Sequence, residues 1–321
     1  MWLQVRMYLL IGILFGLLYA LITGIAMAVG GAGFILFFGL AAGLVLIQYL
    51  IGPLLVSLVL QVRYVTEQEE PELHRMVGEL AQEAGIPKPK VGISEMTLPN
   101  AFAFGRTRRD ARVCVTDSLR RLLSKDELRA VLGHEISHIK HRDMAIITVL
   151  SVVPLVFWYI AWGLMLAGTA RRRRGGYLAP AAGAFILYFV TNLLVLYGSR
   201  IREYYADLGS LELGNRPHHL ASALYRLVYA DANAPEQAVR QAAGLRAFFV
   251  NDSSRARREI RELKEIDSDM SGAIDSDELA ALRSSKMSPS ISDRILELWS
   301  THPNMLKRIK HLASLEPASK A

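Results

Sequence analysis

The sequence predicts a mainly α-helical membrane protein, in which transmembrane helices are joined to a polar α+β domain with a small edge sheet. Three observations predict it. Over 321 residues the mean hydropathy is +0.25, with 52% hydrophobic and only 21% charged residues, a balance shifted away from soluble globular chains. The apolar residues are gathered into four long segments rather than spread. Between and after those segments the chain turns charged, with the short alternating stretches and helical periodicities of a folded polar domain.

The first apolar segment runs from about Met7 to Val29 and the second from about Phe34 to Leu60, parted by Gly30-Gly31-Ala32-Gly33. Each exceeds the roughly 20 residues that cross the hydrocarbon. The first is too long for a signal-peptide core, so 1–60 is expected to be an uncleaved transmembrane hairpin. A second apolar pair, Met144–Gly168 and about Tyr177–Gly198, makes 144–198 a second hairpin. Residues 61–143 and 199–321 then supply the two halves of the polar domain.

The net charge is +7, from 37 Lys and Arg against 30 Asp and Glu. Much of the positive charge flanks apolar segments, where membrane proteins carry their topology signal, and no DNA- or RNA-binding motif is present, so nucleic acid is not an expected partner. The basic stretches after Leu60 and after Gly198 place the polar domain in the cytoplasm, on a multi-pass cell-membrane protein. Arg171–Arg174 dissents, because a full hairpin would put it outside; either the second pair is shallow or the charge rule fails there. Cys114 is the single cysteine, which rules out an internal disulfide framework. Its alternating context, Arg112-Val113-Cys114-Val115-Thr116, marks a buried strand residue.

In the first polar half, Pro71–Gly85 has the pattern of an amphipathic helix closed by glycine. Strands are expected at Lys90–Ile93, Ala101–Phe104 and Arg112–Thr116. Ser124-Lys125-Asp126-Glu127 is a capping box. It opens a helix that carries Leu128, Val131 and Leu132 towards Arg142.

On that helix lies His134-Glu135-Ile136-Ser137-His138, an H-E-x-x-H motif. Residues four apart share a helix face, so both imidazoles can reach one tetrahedral zinc. Glu135 beside them is placed to act as general base towards a hydrolytic water. His141 shares the face but lies a turn beyond the pair on a straight helix, and is taken as an interfacial polar residue. Past the second apolar pair, Ser199-Arg200-Ile201-Arg202-Glu203-Tyr204-Tyr205-Ala206-Asp207 offers Glu203 and Asp207 on one helix face. Glu203 can ligate a metal while Asp207 accepts the outer N–H of a ligand histidine. Taken alone, this stretch reads as an ordinary charged helix.

The order H-E-x-x-H, two apolar segments, S-R-x-R-E-Y-x-A-D resembles the HtpX-type heat-shock proteases, membrane zinc metallopeptidases with the prenyl-protein (CAAX) endopeptidases as more distant relatives. Pro99-Asn100-Ala101-Phe102-Ala103 is similar to the family's N-A-F-A segment, and Ser300-Thr301-His302-Pro303 to its S-T-H-P. The resemblance implies a gluzincin-like zinc protease domain with one catalytic zinc on His134, His138 and Glu203, and Asp207 behind them. It also implies an edge strand at Asn100, Ala101, Phe102 and Ala103 that pairs with substrate backbone. His302 approaches the reacting centre and stabilises an oxyanion, and Arg202 orients a carboxylate in the site. Misfolded or membrane-associated proteins are the implied substrates.

A further feature is independent of that family. Asp267, Asp269 and Ser271 occupy positions 1, 3 and 5 of an EF-hand loop. Gly272 stands at the turn, Ala273 offers its carbonyl at 7, Ile274 is the apolar residue at 8, Asp275 stands at 9 and Glu278 at 12. Ile260, Leu263 and Ile266 precede the loop at helical spacing and Leu279 and Leu282 follow, so 253–287 is expected to be an EF-hand-like insertion that binds calcium. The leading expectation is a membrane-bound zinc endopeptidase acting on protein or peptide substrates in contact with the lipid bilayer. The alternatives are a non-catalytic calcium-responsive membrane protein with a structural zinc, and a prenyl-protein processing enzyme. The sequence sets no oligomeric state.

Overall fold

A computed structural model describes residues 43, 46, 47, 49–170, 174–238, 256–285 and 287–316. The expected span Met7–Val29, the first part of the second span, and Arg171–Arg173 lie outside the described residues. The chain divides into two units: residues 1–52 with 145–201, and residues 53–144 with 202–321.

Besides the start of a short apolar helix, Tyr49–Val59, the described part of the first unit belongs to two apolar helices, α4 (Asp143–Ala170) and α5 (Arg174–Glu212). Within them, Asp143–Met165 and Leu178–Glu212 have mean hydropathies of 2.3 and 1.9 and are long enough to cross a membrane. Trp158 packs edge-on against Phe185 at 5.6 Å between ring centroids and against Tyr188 at 5.2 Å. Leu178 and Ile186 are exposed. The second apolar segment does not stop at Gly198. Helix α5 runs unbroken to Glu212, so Glu203 and Asp207 ride on the continuation of an apolar helix.

The second unit holds a four-stranded sheet of β1 (Val62–Tyr64), β2 (Lys90–Ser94), β3 (Ala101–Phe104) and β4 (Arg112–Thr116). Its order is β1-β2-β4-β3; β2 and β4 are parallel and the other pairs antiparallel. The three expected strands are present, and β1 is an addition that the sequence pattern did not show. β3 is an edge strand, bonded on one side to β4. Cys114 is buried in β4, where a Cβ on the facing Gly92 of β2 would stand 2.9 Å from its sulfur. Burial pushes the Cys114 thiol up to about 12.

The unit also holds α1 (Pro71–Ala84), α2 (Asp117–Leu122), α3 (Lys125–His141), α6 (Pro217–Ala232), α7 (Ala256–Leu263), α8 (Ser276–Ser284), α9 (Ile291–Glu297) and α10 (Met305–Leu315); α1, α2 and α3 pack on the sheet. α1 ends at Gly85 in the left-handed conformation, φ 68°, where glycine has no Cβ penalty. α3 starts with the expected capping box: Ser124 N donates to Glu127 Oε2 at 2.7 Å and Glu127 N to Ser124 Oγ at 3.4 Å. The core joins α1, the sheet, α3, α6 and the later helices through residues such as Leu80, Val115, Leu132, Leu224, Leu279 and Ile309.

Candidate metal centre

The capped helix α3 and the C-terminal part of α5 meet at small residues. A Cβ on Gly209 would collide with Ser137 Oγ, and one on Gly133 would stand 2.9 Å from Ser210 Oγ. Only glycine allows this approach, and it sets each ligand-type residue of α3 opposite a carboxylate of α5. His134 Nε2 lies 3.6 Å from Glu203 Oε2, His138 Nε2 lies 3.5 Å from Glu203 Oε1, and the two Nε2 atoms are 3.1 Å apart. One donor atom from each of the three residues falls within 4.8 Å of the others.

That donor set fits a tetrahedral cation. Nitrogens on one zinc at bonds of about 2.0–2.1 Å stand roughly 3.3 Å apart. Both outer nitrogens are committed to carboxylates: His134 Nδ1 lies 2.9 Å from Asp207 Oδ1 and His138 Nδ1 lies 2.7 Å from Asp143 Oδ2. An imidazole whose Nδ1–H is donated presents a bare lone pair at Nε2. Two such lone pairs facing each other need a positive centre between them. A proton on His134 meets the same need. Burial works against the charged ring, but its bonds to Asp207 and Glu203 outweigh that and carry it up to about 9. Burial, together with the neighbouring His134, pushes His138 down to about 4.

Glu135 is buried one residue along α3. Its charge acts on both His138 and Cys114 of β4. His302 is buried with Nδ1 3.3 Å from Glu203 Oε2. Arg202 is ion-paired with Asp143 and donates to the His141 carbonyl at 3.2 Å; the carboxylate it meets is that of Asp143. His141 turns away from the cluster, its Nδ1 lying 2.9 Å from Ser137 O and 3.1 Å from Ser137 Oγ. Asn100 immediately precedes β3, and its N–H donates to Thr116 Oγ1 at 2.9 Å. Ala101, Phe102 and Ala103 form the edge strand, which packs beside α3. An open groove of about 400 Å³, lined by Leu98, Pro99, Ala230 and Ala234 among others, adjoins the start of that strand.

Two residues of the centre were absent from the sequence expectations. Asp143 follows His138 just after the left-handed Arg142, φ 57°, that ends α3. A carboxylate at the mouth of an apolar segment is costly unless paired, and that cost was the available signal. Arg308, fully buried on α10, lies 3.1 Å from Glu203 Oε2 through Nη1 and bonds Asp207 through Nε and Nη2 at 3.0 and 2.6 Å. No spacing rule links it to the motif.

The acidic loop stands apart from these residues. Asp267 Oδ1 and Oδ2 accept from Ser271 N and Gly272 N at 2.9 and 3.0 Å, and Asp269 Oδ1 also accepts from Ser271 N at 2.9 Å. Gly272 has φ 77°. Donor atoms of Asp267, Asp269 and Glu278 lie within 4.8 Å of one another. Ser271 Oγ lies 3.3 Å from the Ala273 carbonyl, while the Asp275 carboxylate caps α8. Ile274 is buried, and its N–H donates to Ser222 Oγ at 3.2 Å; Ser222 in turn donates to Glu127 Oε1 at 2.5 Å. Tyr225 donates its hydroxyl to Asp267 Oδ2 at 2.9 Å.

Comparison with known proteins bears out the resemblance drawn from the ordered motifs. The profile of peptidase family M48 matches residues 67–316. A protein described as a protease HtpX homolog from Methanothermobacter thermautotrophicus is 52% identical over 226 residues, spanning 70% of this chain and 86% of that protein. Another so described, from Moorella thermoacetica, is 33% identical over 290 residues, spanning 88% and 84%. The crystal structure of S. mikatae Ste24p superposes with a TM-score of 0.52 at 16% identity, covering 92% of this chain and 62% of that one. At that identity the likeness is one of fold, and this chain spans less than two thirds of Ste24p.

Proposed function

The chain belongs to peptidase family M48, and on that footing we propose that it is a membrane-bound zinc endopeptidase of the HtpX type, with its catalytic domain in the cytoplasm. The observation that carries the zinc assignment is the pair of Nε2 atoms 3.1 Å apart, each backed by a carboxylate on its Nδ1. His134, His138 and Glu203 would hold the ion. Bound there, zinc supplies Lewis acidity towards a water and the scissile carbonyl.

This chain's own residues do the rest. Asp207 and Asp143 fix the ring orientation and tautomer of the two histidines. Glu135 accepts the proton of the attacking water and returns it to the leaving amine. His302, buried beside Glu203, donates towards the oxyanion of the tetrahedral intermediate. The outer edge of β3 at Ala101–Ala103, entered from Asn100, aligns an extended substrate by backbone pairing. The adjoining groove at Leu98 and Ala234 takes an apolar substrate side chain. The apolar helices α4 and α5 suit a multi-pass membrane protein, and the basic stretches after Leu60 and Gly198 favour a cytoplasmic domain. Misfolded or membrane-associated proteins remain the proposed substrates.

Glu135→Gln decides the mechanism. It should lower casein hydrolysis by at least about 100-fold while zinc per protein stays at the wild-type level. Near wild-type activity in the purified, zinc-loaded variant would remove Glu135 from the chemistry.

The loop Asp267–Glu278 supports a second, separate ion. Asp267, Asp269, Ser271, the Ala273 carbonyl and Glu278 would hold calcium, with Asp275 contributing through water as position 9 often does.

A further inference from the structure

Behind each histidine of the proposed zinc centre stands an aspartate, and behind each aspartate an arginine. His138 leads to Asp143 and then Arg202; His134 leads to Asp207 and then Arg308. The two chains are not equivalent. Arg202 meets one carboxylate of the centre. Arg308 meets two, and it is the arm that joins the C-terminal helix to the metal ligands.

Glu203 and Asp207 lie four residues apart on α5, both buried. Each must turn its carboxylate towards a histidine of α3: Glu203 towards both Nε2 atoms, Asp207 towards His134 Nδ1. The guanidinium of Arg308 touches both carboxylates. Nε and Nη2 grip the two oxygens of Asp207 at 3.0 and 2.6 Å, and Nη1 lies 3.1 Å from Glu203 Oε2. Asp207 Oδ1 is shared between Arg308 Nη2 and His134 Nδ1. Glu203 then faces the two histidines with one oxygen each, Oε2 at 3.6 Å from His134 Nε2 and Oε1 at 3.5 Å from His138 Nε2.

Arg308 is delivered from outside the ligand helices. α10 starts at Asn304, whose Oδ1 accepts from Lys307 N at 3.4 Å and whose Nδ2 donates to Glu259 Oε1 of α7 at 3.1 Å. One turn on, Arg308 enters the core with no exposed surface. A buried arginine in a planar fork geometry suits two carboxylates at once, and a lysine does not.

We propose that Arg308 is the positioning residue of the zinc centre: its planar fork holds the carboxylates of Glu203 and Asp207 in the orientations in which they face His134 and His138. This rests on the zinc reading above. The test uses the full chain in detergent, with zinc affinity measured by competition against a chromophoric chelator. Arg308→Gln should weaken zinc binding on the order of 10- to 100-fold, as loss of an outer partner does. Arg308→Lys should recover part of that loss. In an Asp207→Asn background, Arg308→Gln should cost far less than in wild type, because the two-oxygen acceptor that Arg308 grips is already gone. The visible spectrum of the cobalt-loaded protein should shift in Arg308→Gln, reporting a changed ligand field that loss of stability alone does not produce. Where Arg308→Gln does not fold, Arg308→Lys and its cobalt spectrum decide.

Zinc affinity within threefold of wild type in Arg308→Gln, or equal losses with and without Asp207→Asn, would overturn the role. Failure of the zinc reading looks different: wild type itself would then bind no zinc that depends on His134, His138 and Glu203.

Discussion

In the His134–His138–Glu203 cluster each donor is buried or half-buried and already held by a second, buried group, whereas in the loop from Asp267 to Glu278 the donors come from twelve consecutive residues and Asp269 and Asp275 face solvent. The cluster draws on α3, α5, the start of α4 and α10, and it exists only when the whole domain is folded. The loop wraps its own backbone N–H groups around its own carboxylates. The first plan would make metal affinity a property of tertiary structure; the second would make it a property of local sequence.

The contrast breaks most readily at Glu203. Glu203→Ala should all but abolish zinc retention after mild dialysis and leave calcium binding intact, while His141→Ala should keep zinc near wild type. The reverse order would make His141 the third ligand and void the helix geometry. A smaller effect is expected at the outer partner of His138. Asp143→Asn keeps the size of the side chain but weakens the Nδ1 acceptor, and zinc affinity should fall about 10- to 100-fold by chelator competition. An unchanged affinity would show that ring orientation is set by packing alone. The smallest effect belongs to the loop. Calcium at 100 times its dissociation constant should stabilise the protein by about 2.7 kcal/mol, read as a rise in Tm of a few degrees. Glu278→Gln should remove that rise and leave zinc content unchanged. Loss of zinc in Glu278→Gln, or no calcium response in the wild type at millimolar calcium, would break the comparison.

What was legible in the sequence follows the same division. The EF-hand pattern, the capping box at Ser124 and Glu127, the glycine stop at Gly85 and the strands through Ala101–Phe104 and Arg112–Thr116 are local, and local chemistry fixes them. H-E-x-x-H is legible because one helix turn carries both histidines. Glu203 was assigned only through the resemblance, since four-residue spacing marks any charged helix. Asp143 and Arg308 escaped because their roles arise where separate elements cross. So did the approach of α3 to α5, which rests on Gly133 and Gly209, two glycines that look unremarked inside helices until a second helix lies against them.

The hydroxyl of Ser222 has a consequence for how separable these parts are. It takes the N–H of Ile274 from the acidic loop and gives its own proton to Glu127, the residue that caps the helix of the two histidines. Loop and host therefore share one oxygen atom. Excising 267–278 would strand Ser222 without its donor and Tyr225 without its acceptor, so the segment cannot be lifted out, or transplanted into a relative, as a self-contained cassette. An engineer who wants the domain without an acidic loop must neutralise side chains one at a time and leave the backbone of Ile274 where it is.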